Sequence, residues 1–136
     1  MALEIADTAM AAIRKAAQAA LPQEACGLLL GTGATVATAL PAANVARDPA
    51  SHFEIDPVAL IAAHRAARQG GPQVLGYFHS HPNGLARPSA TDSANAAHDG
   101  KVWAIASPLN DGSWAITCWH DGPQGFEALS YVVIAG

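Results

Sequence analysis

One segment of the chain guides the interpretation of the rest, and it reads Gly76-Tyr77-Phe78-His79-Ser80-His81-Pro82-Asn83-Gly84-Leu85-Ala86-Arg87-Pro88-Ser89-Ala90-Thr91-Asp92. Residues two apart on a strand point to the same face, so His79 and His81, at the end of a strand that begins near Gln73, can face one point. The loop that follows is rich in turn-forming residues, which bring Asp92 back at the start of the next helix. The segment therefore predicts a strand, a loop and a helix that gather three metal-ligand side chains.

These ligand types favour a particular metal. Two neutral imidazoles and one carboxylate suit zinc, and three protein ligands rather than four leave a position for water, as in catalytic sites. Zinc in such a site can lower the pKa of its water to about 7, which makes a hydroxide nucleophile available at neutral pH. We therefore predict a catalytic zinc site at His79, His81 and Asp92.

A hydrolytic site also needs a group that moves protons. Glu24 directly precedes a short apolar stretch, residues 25–30. A lone carboxylate at the entry to a core segment calls for an explanation, and a catalytic role is one. Partly buried beside a cation, it could take a proton from the water and return it to the departing amine. Ser89 could donate a hydrogen bond to the oxyanion that develops on the attacked carbonyl.

Each of these residues also has a structural interpretation. Ser89-Ala90-Thr91-Asp92 matches a capping box, with Ser89 as N-cap and Asp92 at the third helical position. A His-x-His pair alone is more often a pair of exposed strand histidines. Glu24 alone could cap a helix or face solvent. The joint occurrence favours a site, because a strand-borne His-x-His, a turn-rich loop and a carboxylate at a helix start are rarer together than each is alone.

Three motifs resemble the signature of a known family. They are Glu24-Ala25-Cys26-Gly27-Leu28-Leu29-Leu30-Gly31, His79-Ser80-His81-Pro82 and Pro88-Ser89-x-x-Asp92, with Asn44 and Phe53-Glu54-Ile55-Asp56-Pro57 between the first two. The pattern resembles the JAMM (MPN-plus, Mov34/PAD-1) metallopeptidases, in their compact, stand-alone prokaryotic form, over most of the chain. The resemblance implies a cytidine-deaminase-like α/β/α sandwich, with a mixed central sheet and flanking helices, as one domain over residues 1–136. It also implies zinc at His79, His81 and Asp92, Glu24 as general base and Ser89 as oxyanion partner.

The resemblance further implies a substrate class. Members of this type hydrolyse a peptide or isopeptide bond just after the Gly-Gly tail of a small ubiquitin-like or sulfur-carrier protein. Such a tail can bind in extended form along a sheet edge through backbone hydrogen bonds. Homodimer formation is left open. The alternatives are a non-catalytic MPN-type interaction module, which would show a broken motif, and a zinc deaminase, whose Cys-x-x-Cys the chain lacks.

Composition narrows the remaining classes. The 136 residues are 51% hydrophobic, which is enough for one domain with its own core. A formal charge of −4 with scattered basic residues argues against nucleic acid, and no run of about 18 uncharged apolar residues is present to span a membrane. Charges interrupt the apolar N-terminal stretch, so no signal peptide is expected. We predict a cytoplasmic protein in which Cys26 and Cys118 are free, buried thiols.

Hydrophobic periodicity and turn residues predict one α/β domain of mixed sheet. Asp56 is the predicted N-cap of the second helix, whose first turn accepts Pro57. The predicted helices are a first one that ends near Ala20, a second from Pro57 to the Gly70-Gly71 break, and a third over residues 89–98. The predicted strands cover residues 25–30, 36–40, 53–55, 73–79, 102–107, 114–119 and 126–133.

Overall fold

The computed structural model describes residues 2–136. Over these residues the chain forms eight strands and three helices. In chain order the elements are β1 (Leu3–Ala6), α1 (Asp7–Ala20), β2 (Cys26–Thr32), β3 (Thr35–Ala42), α2 (Pro57–Arg68), β4 (Gln73–Ser80), α3 (Ala90–Asn95), β5 (Val102–Pro108), β6 (Trp114–Gly122), β7 (Gly125–Leu129) and β8 (Tyr131–Ile134).

The eight strands form a single mixed sheet in the order β7-β6-β5-β4-β2-β3-β1-β8. The β1–β3, β1–β8 and β4–β5 pairs are parallel and the others are antiparallel. β7 and β8 lie at opposite edges although only Ser130 separates them along the chain. The sheet must therefore curl until its two edges approach each other. The Tyr131 hydroxyl of β8 accordingly donates a hydrogen bond to the Ile116 carbonyl of β6, at 2.7 Å.

Helices cover both faces of the sheet. Neighbouring strand residues point to opposite faces, so Leu29 packs in one core cluster with Ile13 of α1. Leu28 instead packs with Ala63 of α2 and with Val74. The predicted fold class, a mixed α/β sheet with flanking helices, is confirmed. None of the helices within residues 2–136 has the length and apolar character needed to cross a bilayer.

Several local predictions are confirmed. α1 ends at Ala20, and α2 begins at Pro57 with the Asp56 carboxylate accepting a hydrogen bond from the Val58 N–H at 3.1 Å. Cys26 and Cys118 are free and buried.

Four local predictions are wrong. The strand at residues 53–55 is absent, and Ile55 makes only a single bridge to Asn44. The strand at residues 126–133 is two strands on opposite sheet edges. The helix at residues 89–98 stops at Asn95, because the His98 N–H donates to the buried Asp121 carboxylate and His98 adopts φ 55°. The short strand β1 was not predicted, since it passes directly into α1 and Ala6 continues the helical spacing of Met10 and Ile13.

Candidate active site

Three ligand atoms from two elements converge at the end of β4. His79 Nε2 lies 3.0 Å from His81 Nε2 and 3.1 Å from Asp92 Oδ2, and His81 Nε2 lies 3.0 Å from the same oxygen. The two histidines share a face because one residue separates them on the extended chain. Asp92 arrives from the first turn of α3. All three side chains are buried.

The spacing of these atoms fits a metal ion better than it fits hydrogen bonds alone. Protons on both Nε2 atoms would let both rings donate to Asp92, but the two N–H groups would then face each other across 3.0 Å. With fewer protons, at least one contact brings two lone pairs together. Ligands about 2.0–2.1 Å from a tetrahedral zinc lie about 3.3 Å apart, close to the separations observed here. The donors are therefore arranged as a set that could hold a metal.

The two histidine rings are oriented by different means. His81 Nδ1 lies 2.9 Å from the Leu85 carbonyl. Because a carbonyl only accepts, Nδ1 carries a proton, so the neutral ring would present its Nε2 lone pair to a metal. Without a metal, a proton on the same Nε2 can be donated to Asp92. His79 Nδ1 is buried without a hydrogen-bond partner. Its ring is held by packing instead, stacked on Phe53 with 4.2 Å between centroids and edge-on to Trp103.

The predicted capping box is present and includes the same carboxylate. Ser89 Oγ accepts a hydrogen bond from the Asp92 N–H at 3.0 Å, and Asp92 Oδ2 accepts one from the Ser89 N–H at 2.9 Å. This Oδ2 atom is also the one that faces both histidines. The structural and chemical interpretations of Asp92 are thus compatible, because the cap fixes the carboxylate where the imidazoles meet it.

Glu24 lies beside this cluster. Its carboxylate and the two imidazoles place ligand atoms within 4.8 Å of one another, and its side chain is buried. It sits just before β2, where its N–H donates to the Pro49 carbonyl at 2.7 Å and its carbonyl accepts from the Asn44 side chain at 3.0 Å. The predicted residues Glu24, His79, His81 and Asp92 therefore meet at one place.

Burial, hydrogen bonds and neighbouring charges shift the pKa values of these groups in different directions. Burial raises the pKa of Glu24 to about 7, with the charge of His81 opposing and that of Asp92 adding to the shift. Burial also lowers the pKa of His79. Against the effect of burial, hydrogen bonds from His79 and His81 hold the pKa of Asp92 well below its usual range. The pKa of His81 is raised, because its bonds to Asp92 and Leu85 outweigh burial.

Ser80, between the two histidines, joins the strands that carry the site. Its side chain points away from the imidazoles, and Ser80 Oγ accepts a hydrogen bond from the Ala25 N–H at 2.7 Å. The Ser80 N–H donates back to the Ala25 carbonyl at 3.1 Å. Sequence reasoning missed this role, although a polar residue between two predicted ligands, on the opposite face of the strand, was a usable signal. These two hydrogen bonds between Ala25 and Ser80 keep Glu24, the residue before Ala25, in register with the histidines.

A cavity of about 490 Å³ opens beside Asp92. One side presents the α3 residues Thr91 and Asn95. The other side is mostly apolar and aromatic, and it includes Phe53, Ile55, Leu60, Tyr77 and Trp103. Neither Phe53 nor Trp103 was predicted to border the site, because their approach depends on loop and sheet contacts far apart in sequence.

Comparison with known proteins agrees with this geometry. The family described as prokaryotic homologs of the JAB domain matches residues 7–119. The chain is 35% identical over 135 residues to a desampylase from Haloferax volcanii, covering 98% of this chain and 94% of that protein. It is 37% identical over 75 residues to a probable TtuB-protein conjugate cleaving protease from Thermus thermophilus, covering 55% of this chain and 50% of the relative. The solution structure of DSY2949 from Desulfitobacterium hafniense is similar with a TM-score of 0.85 and 30% identity, over 98% of this chain and 94% of that one.

The curled mixed sheet and the clustered His, His and carboxylate donors define a JAB-type domain. The chain belongs to the prokaryotic JAB-domain family, which confirms the resemblance inferred from its motifs. The predicted enzyme class, a JAMM-type isopeptidase, is confirmed as well.

Proposed function

We propose that the protein is a zinc-dependent peptidase or isopeptidase that hydrolyses the bond after the C-terminal Gly-Gly tail of a small ubiquitin-like or sulfur-carrier protein. The observation that carries the proposal is the close triangle of His79, His81 and Asp92 with the buried Glu24 carboxylate beside it.

In this proposal zinc is held by His79, His81 and Asp92. The choice of Asp92 over Glu24 as the third ligand rests on distance and charge. Asp92 Oδ2 is within 3.1 Å of both imidazoles, and hydrogen bonds keep its pKa low, so it is a permanent anion. Bound zinc would polarise the scissile carbonyl and lower the pKa of a water molecule. The preference for zinc follows from the mixed nitrogen and oxygen donor set.

Glu24 acts as the general base and then as the general acid. A catalytic acid-base group works best with a pKa near the operating pH, and in the metal-free site burial brings the pKa of Glu24 to about 7. Its carboxylate accepts the proton of the attacking water and returns it to the departing amine. The hydrogen bonds on both sides of its backbone fix the position from which it does so.

Ser89 donates to the oxyanion. Its oxygen accepts the Asp92 N–H as an N-cap. A hydroxyl has one proton as well as its lone pairs, so the proton of Ser89 stays available for a second partner. A donor placed in this way stabilises negative charge that develops on the attacked carbonyl oxygen.

The substrate assignment is supported by the two relatives. One is named a desampylase, and the other is named for cleaving TtuB-protein conjugates. We carry this activity over to the present chain as cleavage of a conjugate of a ubiquitin-like or sulfur-carrier protein. A cytoplasmic location and a single domain over residues 1–136 stay predictions, and homodimer formation stays open.

The experiment uses a ubiquitin-like sulfur-carrier protein extended beyond its Gly-Gly by a short peptide. Wild type, Glu24→Gln and, as a matched surface control, Glu127→Gln are each loaded with zinc, and cleavage is followed by mass spectrometry. We expect cleavage after the second Gly by wild type and Glu127→Gln, and a rate lower by about 10²–10⁴-fold in Glu24→Gln. Zinc content should be equal in all three.

Two results would overturn parts of this proposal. Equal cleavage by Glu24→Gln would remove Glu24 as the base, whereas loss of zinc in Glu24→Gln would make it a ligand. Equal cleavage when the terminal Gly of the tail is replaced by Val would remove the Gly-Gly requirement.

A further inference from the structure

We propose that Asn44 is a positioning residue, which holds the general base and the packing partner of a histidine ligand in place through one side-chain amide. The inference rests on the proposed roles of Glu24 and His79. Asn44 lies outside the regular strands, at the start of the loop that connects β3 to α2.

The Asn44 side chain has an unusual number of partners. Its Nδ2 donates to the carbonyls of Glu24 and His52, both at 3.0 Å, with a third, longer contact to the Pro49 carbonyl at 3.4 Å. Its Oδ1 accepts from the N–H groups of Ala46 at 3.0 Å and Glu54 at 3.1 Å. One amide therefore ties together five backbone positions that no helix or strand connects.

The first consequence concerns Glu24. β2 begins two residues later, so the backbone of Glu24 has no partner in the sheet ladder. Its N–H bonds to Pro49 and its carbonyl to Asn44, both in the loop. If the loop shifts, the backbone of the base shifts with it.

The second consequence concerns His79. The Asn44 amide bonds the carbonyl of His52 and the N–H of Glu54, the residues immediately before and after Phe53. The ring of Phe53 stacks on that of His79. Asn44 thus clamps the backbone on both sides of the ring that packs against a metal ligand.

We call the Asn44 side chain together with its five backbone partners the hub. The chemistry of this hub requires an amide. It uses both N–H donors and the carbonyl acceptor of one planar group, and asparagine is the shortest side chain that offers all three. Aspartate keeps the acceptor but loses the donors, and it would place a carboxylate oxygen against the carbonyls of Glu24 and His52. Asn44→Asp is therefore a nearly isosteric change that keeps the acceptor half of the hub, removes its donor half and adds a negative charge there.

The kinetic test compares Asn44→Asp with Asn110→Asp, a matched change at an exposed position in the β5–β6 connection. The substrate is the peptide-extended sulfur-carrier protein, and all variants are zinc-loaded. We expect kcat to fall by about 10²-fold in Asn44→Asp with KM nearly unchanged, because a small misplacement of a catalytic group has this cost. Asn110→Asp should match wild type.

A double variant separates positioning from a general loss of structure. If Asn44 acts through Glu24, then Glu24→Gln with Asn44→Asp should be as slow as Glu24→Gln alone, because the base is already absent. Rate losses that multiply in the double variant would overturn the part of the inference that concerns Glu24, and wild-type kcat in Asn44→Asp would overturn the whole. If wild type itself does not cleave the substrate, the proposed function fails and the exchange measurement below decides on Asn44 alone.

Amide hydrogen exchange tests the hub without any variant and without catalysis. The N–H groups of Ala46 and Glu54 bond directly to Asn44, and that of Glu24 bonds to the loop it organises. We expect these three amides in the wild-type protein to exchange with one common opening free energy, since they lose protection together when the hub opens. Clearly different opening free energies would show that Asn44 does not join these positions, and would overturn the inference.

Discussion

The ring of Phe53 lies flat against the ring of His79, with 4.2 Å between centroids and 18° between planes. This stacking replaces the hydrogen bond that orients most metal-binding histidines, since His79 Nδ1 has no partner. His81, by contrast, is oriented by the Leu85 carbonyl. The two histidines are thus positioned by different forces, and changes around each should have different effects.

Replacing Phe53 should therefore weaken metal binding. We expect Phe53→Ala to lower zinc affinity by about 10-fold, the lower end of the effect of losing a group that orients a ligand. It should also lower the free energy of unfolding of the metal-free protein by about 2 kcal/mol, because a half-buried aromatic side chain and its stacking are lost. Chelator competition and urea unfolding measure the two effects. Phe53→Leu, which keeps most of the volume, should recover much of the stability but not the affinity, and equal affinity in all three proteins would contradict the role of stacking.

Asp92 caps α3 and is also the proposed third zinc ligand, and one substitution can separate these two roles. In Asp92→Asn the amide oxygen can still accept the Ser89 N–H, so the cap of α3 is kept, but the anionic ligand is lost. We expect zinc affinity to fall by at least about 10²-fold, as measured by chelator competition, while the far-ultraviolet circular dichroism spectrum is unchanged. Asp111→Asn, at an exposed turn, serves as the control. Undiminished zinc binding by Asp92→Asn would exclude Asp92 as a ligand.

The pH dependence of stability in the metal-free protein should report on Glu24. Burial raises its pKa from 4.5 to about 7, so between these pH values the folded protein binds more protons than the unfolded chain. Stability from this group should then fall as pH rises from 4.5 to 7, by about 3 kcal/mol in total, and change little above that. The unfolding free energy of Glu24→Gln minus that of wild type should rise by this amount across the same window. If this difference in unfolding free energy does not change with pH, the pKa of Glu24 is near its ordinary value.

Both cysteines should be inert in the folded protein. Burial raises the pKa of Cys26 to about 12, with the charge of Glu24 adding to the shift, and burial raises that of Cys118 to about 12. Because the thiolate is the reactive form, we expect negligible labelling by iodoacetamide at pH 8 in native buffer and labelling of both thiols in urea. Mass spectrometry counts the adducts. Rapid native labelling of Cys26 would contradict this expectation and indicate that the start of β2 opens in the folded protein.

The convergence of His79, His81 and Asp92 was predictable because it depends on local rules. His79 and His81 share a face by the period of a strand, and the capping box places Asp92 in the first turn of α3. Both statements need only a few neighbouring residues. These rules do not say whether the loop returns Asp92 to the end of the strand. The turn residues in the loop predicted that it does.

The surroundings of Glu24 were not predictable in the same way. They depend on Asn44, whose side chain accepts the Glu54 N–H and whose backbone makes only an isolated bridge to Ile55, where the sequence predicted a strand. A side chain that bonds five backbone groups leaves no periodic signal. The split between β7 and β8 at Ser130 is similar, because the break is imposed by the curl of the sheet and no Gly or Pro marks it.

The curled sheet also has a consequence for how the chain reaches its native state. β1 pairs in parallel with β8, so that Leu3 lies opposite Tyr131. Such a pairing joins segments from distant parts of the sequence, and its loop-closure entropy is lost before any contact compensates for it. We expect folding on the millisecond-to-second timescale that is typical of topologies dominated by non-local contacts, with the β1–β8 edge joining after the local hairpin of β5 and β6.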